Sequence, residues 1–307
     1  MADAVTPSSS ERPRIRLSDE VARVIDSGGP VVALETSVLA QGLPDPHNLR
    51  AAERMSAAIR ERGAVPAWTW VGGGSLLVRS GPGDLEGLMT GDAAKVARRD
   101  LPAALAGSHL GATTVSAMLW AARATGIEVA ATGGIGGVHP GSGDVSADLA
   151  ELARTPVTLV CSGPKSILDP EATMERLDEL GVGVIGYRCS RLPFFLVREA
   201  SPPLEHRADE PSEVAHIVRA RRELAIETSL LVCNPIPESA ALPAGVVSEA
   251  VTECAARAAT EGVRGKALTP YLLSCLAERT GGASVEANLA LLESNAALAA
   301  EVAVTIA

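Results

Sequence analysis

Lysine is rare in this chain, and one lysine occupies a position where an amine could act as a nucleophile. The sequence has 27 lysines and arginines, and only Lys95, Lys165 and Lys266 are lysines. An arginine stays protonated in proteins, whereas a lysine can lose its proton and attack a carbonyl carbon. Lys165 follows the apolar segment VTLVCSG. The carboxyl ends of strands are where open α/β sheets bind ligands, so Lys165 is a candidate Schiff-base residue.

A glycine-rich loop and an acidic turn precede that lysine. The loop TGGIGG, residues 132–137, follows the strand-like segment IEVAA. Glycines tolerate left-handed backbone and expose N–H groups, so the loop, including Thr132, is predicted to bind an anion such as a phosphate. Asp144 and Asp148 flank Ser146 and share one side if the turn enters a helix. One of these carboxylates could face a cation, and the other a sugar hydroxyl.

A carboxylate ends another apolar segment. VVALETS has the length of a buried strand and places Glu35 at its carboxyl end, where it could act as a general acid or base. An ion pair with an arginine at the sheet rim is the alternative for Glu35. The segment KVARRDLP, which contains Lys95, could hold a phosphate or form a solvated, self-paired surface. Together these groups suggest a small phosphorylated substrate that bears a carbonyl.

The elements that must position these residues alternate between helical and strand patterns. LSDEVARVIDSGG begins with Ser18 as a helix cap, and further helices and strands alternate as far as SLLVCNPIPES. From Pro243 onward the pattern is almost entirely helical. We expect a three-layer α/β/α sandwich around a mixed, largely parallel sheet, as one domain over residues 16–307 with a helical C-terminal region. Residues 1–15 are predicted to form a flexible tail.

Composition excludes several classes of function. The chain has 307 residues, is 47% hydrophobic and carries a net charge of −10, which gives no basic field for a nucleic acid polymer. We expect no membrane span and a cytoplasmic protein. The five cysteines show no metal-binding spacing and are predicted to be buried, inert thiols without a disulfide. The histidines lack HxH or HExxH spacing, which argues against zinc.

Several blocks of the sequence resemble the pseudouridine-5′-phosphate glycosidases, also called the indigoidine synthase A family. The resemblance covers about residues 31–300 through these blocks: ALETSVLAQGLP, KVARRDLP, GATTV, TGGIGGVH, DVSADLAELART, GPKSILD, NPIP, GKALTPYLL, LAERTGG and NLALLESNA. It implies reversible cleavage of the C–C glycosidic bond of pseudouridine 5′-phosphate to uracil and ribose 5-phosphate. It also implies a divalent cation, Mn²⁺, and a homotrimer.

The resemblance assigns roles to individual residues. It makes Lys165 the covalent nucleophile, Glu35 the proton donor and Asp144 the metal ligand. The substrate contacts that we expect are Lys95, Val115, Thr132, Ser146, Ala147, Asp148 and Asn288. This set suits the chemistry, because a carbon-linked base offers no leaving oxygen for the carboxylate pair of an ordinary glycosidase to protonate. An iminium at C1′ would supply an electron sink while an acid protonates the base carbon.

Two alternatives to this function remain at the level of sequence. The first keeps the same chemistry but acts on another C-linked or phosphorylated sugar, as in the pigment-cluster members of the family. The second is a regulatory protein that binds a nucleotide or sugar phosphate on the same scaffold without catalysis. The second is disfavoured because both Lys165 and Glu35 are present.

Overall fold

The computed structural model describes residues 14–90, 92–141 and 143–307, and within these ranges the side chains of all residues except Pro82 and Lys266. The predicted tail lies outside the described residues up to residue 13. Its last predicted residue, Ile15, already belongs to the first strand, where Ile15 pairs with Leu76.

The described residues contain one eleven-stranded sheet. Its strands are β1 (Ile15–Leu17), β2 (Val31–Leu34), β3 (Val65–Gly72), β4 (Ser75–Arg79), β5 (Ala94–Val96), β6 (Gly111–Thr113), β7 (Val129–Ala131), β8 (Thr158–Cys161), β9 (Gly183–Tyr187), β10 (His206–Ala208) and β11 (Leu230–Cys233). The main order is β1-β4-β3-β2-β7-β8-β11-β9-β10, and β6 joins β3 and β5 beside it. From β3 through β2 to β10 all neighbouring strands are parallel, whereas β4 and β6 run antiparallel to β3. The expectation of a mixed, largely parallel sheet is confirmed.

Helices cover both faces of the sheet. They are α1 (Asp19–Asp26), α2 (His47–Glu61), α3 (Glu86–Met89), α4 (Leu101–Ala106), α5 (Val115–Thr125), α6 (Ala147–Leu152), α7 (Pro170–Glu179), α8 (Pro211–Glu223), α9 (Ala244–Thr260), α10 (Leu268–Arg279) and α11 (Ala283–Ile306). Strand β2 shows how the faces divide. Val32 and Leu34 join the core under α2, α8 and α11, whereas Val31 and Ala33 join the core under α1, α5, α6 and α7. This alternation produces the three expected layers.

Helix α11 is the main core helix of the C-terminal region. By length and composition alone it could cross a membrane, but 61% of its most apolar 18-residue window is buried inside the protein. It packs against α2 and α8 and lies over the strands β2, β7 and β8. The apolar character of α11 is therefore explained by the core that it fills, and two buried asparagines, Asn288 and Asn295, interrupt it.

The prediction for the cysteines is wrong for two of the five. Cys254 in α9 and Cys275 in α10 form a disulfide, which closes a loop of 21 residues' separation. Cys161, Cys189 and Cys233 are free and buried, as expected. Sequence spacing could not reveal the bond, because the two cysteines meet only when α9 and α10 pack side by side.

This disulfide can be counted chemically. In denatured, unreduced protein, iodoacetamide should label three cysteines, and after reduction it should label five. Closing a loop of this length stabilises a fold by about 3 kcal/mol, so Cys275→Ser should lower the free energy of unfolding by that order. A reductant should then cause no further loss in the variant, although it destabilises the unchanged protein. Labelling of five thiols without reduction would show that the bond does not form.

Candidate active site

Glu35 lies just beyond β2, and hydrogen bonds from neighbouring residues fix one of its two carboxylate oxygens. Its side chain is only 5% exposed. Oε2 accepts hydrogen bonds from the Ser37 hydroxyl at 2.7 Å and from the Val38 N–H at 2.9 Å. Oε1 lies 3.4 Å from the Thr132 hydroxyl in the glycine-rich loop. Because Oε2 is already used twice, a proton on this carboxyl group belongs on Oε1.

Burial raises the pKa of Glu35 above its usual value. The positive charge of Lys165 and the hydrogen bonds from Ser37 and Val38 oppose this shift, while the negative charge of Asp148 adds to it. Desolvation is the largest of these causes, so the neutral acid is favoured. Among the described residues no arginine forms an ion pair with Glu35, which was the alternative considered for it. Its electrostatic partner is Lys165.

Buried threonines fix the backbone around Glu35. The Thr36 hydroxyl donates to the Thr69 carbonyl of β3 at 2.8 Å and accepts the Thr113 N–H of β6 at 3.0 Å. All three threonines are completely buried. These bonds join the end of β2 to β3 and to β6, so the carboxylate is carried on a rigid part of the sheet.

The glycine-rich loop has glycines for a different reason from the one predicted. None of its four glycines has a positive φ. A Cβ would instead lie 2.2 Å from the Ser146 hydroxyl at Gly136, and 2.4 Å from the Thr173 hydroxyl at Gly137. Close approach of neighbouring elements therefore requires these glycines.

The same loop also binds a carboxylate of the protein itself. Asp148 is buried in the first turn of α6, and its Oδ2 accepts the Gly136 N–H at 3.0 Å. Its Oδ1 accepts the Ser116 N–H, in the first turn of α5, also at 3.0 Å. Asp148 thus joins α5, α6 and the glycine-rich loop. Its carboxylate is a positioning group, whereas Asp144 lies three residues before α6, so the two do not share a helix face as expected.

Lys165 lies beyond the end of β8 in an extended segment and does not open a helix. Its N–H donates to the Ile135 carbonyl at 3.2 Å, and the preceding Pro164 pairs with Ile135 as an extended strand would. The next helix, α7, begins five residues later and is capped by Asp169. The backbone of Lys165 is therefore fixed alongside the glycine-rich loop.

One cleft at the carboxyl edge of the sheet contains all ten residues that the sequence singled out. Glu35, Lys95 and Lys165 line its middle. One end, here called the apolar end, is lined by Thr132, Asn288, Phe195, Pro270, Leu273 and Gln41. The other, here called the polar end, is lined by Val115, Asp144, Ser146, Ala147, Asp148, His139 and Arg99.

The cations of the segment KVARRDLP take different roles, since some line the cleft and one forms an ion pair within the protein. Lys95, on β5, and Arg99 line the cleft. Arg98 turns away and donates to both oxygens of Glu151, a completely buried carboxylate, at 2.9 Å. One cation of this segment thus supports the structure, while two are placed to meet an anion.

His139 and Asp144 both line the polar end, and the backbone N–H of His139 donates to the Asp144 carbonyl at 2.9 Å. Burial lowers the pKa of His139, and the charges of Lys165 and Lys95 lower it further, whereas the charge of Asp144 raises it. Among the described residues no group of three or more histidine, cysteine or acidic side chains could enclose a metal ion. A single carboxylate fits only a cation that retains waters or shares a phosphate, as Mg²⁺-like ions do.

Comparison with known proteins identifies the family of this chain. The family model described as indigoidine synthase A like protein matches residues 20–305. The chain belongs to the indigoidine synthase A-like family. The pseudouridine-5′-phosphate glycosidase of Myxococcus xanthus is 48% identical over 95% of this chain and 98% of its own length. That of Symbiobacterium thermophilum is 45% identical over 94% and 96%.

Two solved structures share the fold. The prealnumycin C-glycosynthase AlnA, in complex with ribulose 5-phosphate, has a TM-score of 0.88 and 37% identity, covering 96% of this chain and 98% of its own. An indigoidine synthase A-like protein from Thermotoga maritima has a TM-score of 0.87 and 38% identity, covering 94% and 95%. The family architecture is thus present over almost the whole chain.

Sequence reasoning missed Asn295, although it supports the site of this family member. Asn295 is completely buried in α11. Its Nδ2 lies within hydrogen-bonding distance of the Thr132 and Gly133 carbonyls and the Ser162 hydroxyl, at 2.9, 3.3 and 3.1 Å. Its Oδ1 accepts from Asn234 at 3.0 Å. A polar residue inside the apolar segment LALLESNAALAAEVAV was the available signal.

The raised pKa of Glu35 predicts a definite sign for the pH dependence of stability. The neutral acid contributes stability that is complete below the unfolded value of 4.5 and is lost as pH rises through the folded pKa. Glu35→Gln cannot ionise, so its melting temperature should rise relative to the unchanged protein as pH increases. If Glu35 is the proton donor, the same change should lower turnover by about 10²- to 10⁴-fold.

Glu20→Gln is the matched control, with the opposite sign. Its hydrogen bond with Arg60 lowers the pKa of Glu20 to about 2. The ionised form of Glu20 contributes stability that is fully present above the unfolded pKa of 4.5. That stability is lost as pH falls through the folded pKa of about 2. Melting curves of both variants across pH 2–9 test the pair. A difference between Glu35→Gln and the unchanged protein that stays constant with pH would contradict the assignment.

Proposed function

We propose that this protein cleaves the C–C glycosidic bond of pseudouridine 5′-phosphate reversibly, giving uracil and ribose 5-phosphate, in pseudouridine catabolism. The observation that carries the proposal is the juxtaposition of Lys165 with a buried Glu35 whose neutral form is favoured. A nucleophilic amine and a protonated acid are the two groups that this bond requires. The names of the relatives from Myxococcus xanthus and Symbiobacterium thermophilum support the choice of substrate.

The two ends of the cleft suggest how the nucleotide lies. The phosphate belongs at the polar end, where Lys95 and Arg99 line the cleft beside the start of α5. The first N–H groups of an eleven-residue helix favour an anion, and Val115 is its first residue. Ser146 and Ala147 line the same end. The ribose then lies over Lys165 and Glu35, and the base lies at the apolar end with Thr132 and Asn288.

The bond can be broken by two linked steps. In the first, the Lys165 amine attacks C1′, the C1′–O4′ bond breaks, and O4′ takes up a proton. In the second, Glu35 delivers its proton to C5 of the base, and the nitrogen lone pair forms C1′=N⁺. The electron pair of the C1′–C5 bond then restores the C5=C6 double bond of uracil. Water hydrolyses the imine, which returns the free amine and ribose 5-phosphate.

A divalent cation, Mn²⁺, belongs to this proposal at Asp144. Only this carboxylate and waters, with a phosphate oxygen of the substrate, would hold it, which is consistent with the lack of a larger ligand group among the described residues. When bound, the ion would neutralise phosphate charge. Asp144 would thereby orient the phosphate, while Lys165 and Glu35 act at C1′ and C5.

A second candidate follows from the structural likeness to the C-glycosynthase AlnA. Such an enzyme would use the same site to join a phosphorylated sugar to another carbon nucleophile. The 48% identity to the Myxococcus xanthus glycosidase exceeds the 37% identity to AlnA, which favours the first candidate. Comparing uracil with other carbon nucleophiles in the synthetic direction distinguishes the two.

Purified protein with pseudouridine 5′-phosphate and Mn²⁺ should release uracil. Dialysis against EDTA should abolish release, and Mn²⁺ should restore it. Asp144→Ala should lose at least tenfold in turnover at low metal concentration, whereas Asp178→Ala, an exposed acid on α7, should not. Full activity after chelation would exclude the cation, and no uracil under any of these conditions would exclude the proposed reaction.

The role of Lys165 can be tested by trapping. With ribose 5-phosphate and borohydride, the peptide that contains Lys165 should gain the mass of the reduced sugar adduct. Lys165→Arg keeps the charge but cannot supply a neutral amine, so activity and adduct should both disappear. Lys95→Arg is the matched control and should still form the adduct at Lys165. An active Lys165→Arg protein would rule out the imine.

The expected homotrimer and cytoplasmic location are part of the same proposal. An oligomer suits α9, which is rich in alanine and exposes Val246. Light scattering should give about three times the 31.4 kDa chain mass, and a monomer mass at micromolar concentration would exclude it. Fractionation of the source cells tests the location.

A further inference from the structure

The apolar end of the cleft contains two buried side-chain oxygens that no donor among the described residues satisfies. They are Oε1 of Gln41 and Oδ1 of Asn288. Both side chains line the cleft together with Glu35, Lys165 and Thr132. A buried acceptor without a donor costs free energy, and two of them at one end of a cleft indicate that a ligand supplies donors there.

The orientation of the Gln41 amide is determined by the protein. Gln41 lies in the π-helical turn Val38–Gly42, which follows Glu35. Its Nε2 donates to the Ala93 carbonyl at 2.8 Å, just before the strand that carries Lys95. A carbonyl cannot donate, so this bond fixes which end of the amide is nitrogen. Oε1 is therefore an acceptor held in place.

Asn288 supplies the second acceptor from another direction. It lies in the second turn of α11 and is 6% exposed. A Cβ on Gly133 would lie 3.3 Å from its Oδ1 and 3.1 Å from Leu291. The bare glycine thus leaves space beside this oxygen. Two acceptors, one on the π-helical turn and one on α11, contribute to the same end of the cleft.

We propose that Gln41 determines specificity for the base, with its Oε1 accepting one ring N–H of uracil while Asn288 Oδ1 accepts the other. This inference rests on the proposed function. A uracil joined to the sugar through carbon retains both ring N–H groups, whereas a base joined through N1 retains only one. A pair of acceptors therefore favours the C-linked nucleotide, because the N-linked isomer leaves one buried oxygen unsatisfied.

Gln41→Met tests the proposal in the synthetic direction, where uracil and ribose 5-phosphate are separate substrates. Methionine has similar length and cannot accept the N–H as an amide does. The KM for uracil should rise about 10- to 100-fold. The KM for ribose 5-phosphate and the borohydride adduct at Lys165 should stay within about twofold, since the sugar does not contact Gln41.

Methylated bases identify which contact Gln41 makes. The unchanged protein should discriminate against both 1-methyluracil and 3-methyluracil, each of which lacks one ring N–H. Gln41→Met should lose most of the discrimination against one of them and keep it against the other. Unchanged discrimination against both would overturn the proposal.

The outcomes separate this inference from the function beneath it. If the unchanged protein does not join uracil to ribose 5-phosphate, the proposed function fails and this inference fails with it. If the unchanged protein is active but Gln41→Met keeps its KM for uracil, only the inference is overturned. Equal rises in both KM values would mean that Gln41 acts by holding Ala93 and the strand of Lys95, which also overturns it.

Discussion

The buried amide of Asn295 is the interaction on which the site depends most. Parallel strands end in loops that have no ladder partners, so the Thr132 carbonyl needs a donor from elsewhere, whereas the Gly133 carbonyl already accepts the Ser162 N–H at 2.8 Å. Asn295 supplies that donor from the core helix, lies 3.3 Å from the Gly133 carbonyl, and also bonds Ser162 after β8 and Asn234 after β11. One side chain therefore fixes three consecutive strand ends. Such a network is favourable only when every member is satisfied.

A second constraint acts from the opposite face of the sheet. The carboxylate of Asp148 accepts one N–H from the start of α5 and one from the glycine-rich loop. The loop is thus held by a helix on each side, Asn295 from one and Asp148 from the other. The glycine-rich loop, which lies beside both Glu35 and Lys165, is therefore held in place from both faces of the sheet.

The sequence predicted the elements better than the contacts between them. Strand and helix patterns follow local periodicity, so the segments ending at Glu35 and Lys165 were placed correctly at the carboxyl edge of the sheet. The glycine-rich loop shows the limit of that reasoning, because Gly136 is required by the approach of Ser146, which is ten residues away. The Cys254–Cys275 disulfide and the role of Asn295 likewise depend on which helices meet, and that is a tertiary property. The resemblance to a family gathered the site residues, whereas spacing alone left several readings open.

Helix α11 has a consequence for the order in which the protein becomes functional. It carries both Asn288 and Asn295, and it follows all eleven strands along the chain. During synthesis the strands and their loops emerge first, and domains fold as their segments become available. A nascent chain that already holds Glu35, Lys95 and Lys165 would still lack the helix that fixes the loops between them. We therefore expect the newly made protein to be inactive until α11 has packed onto the sheet.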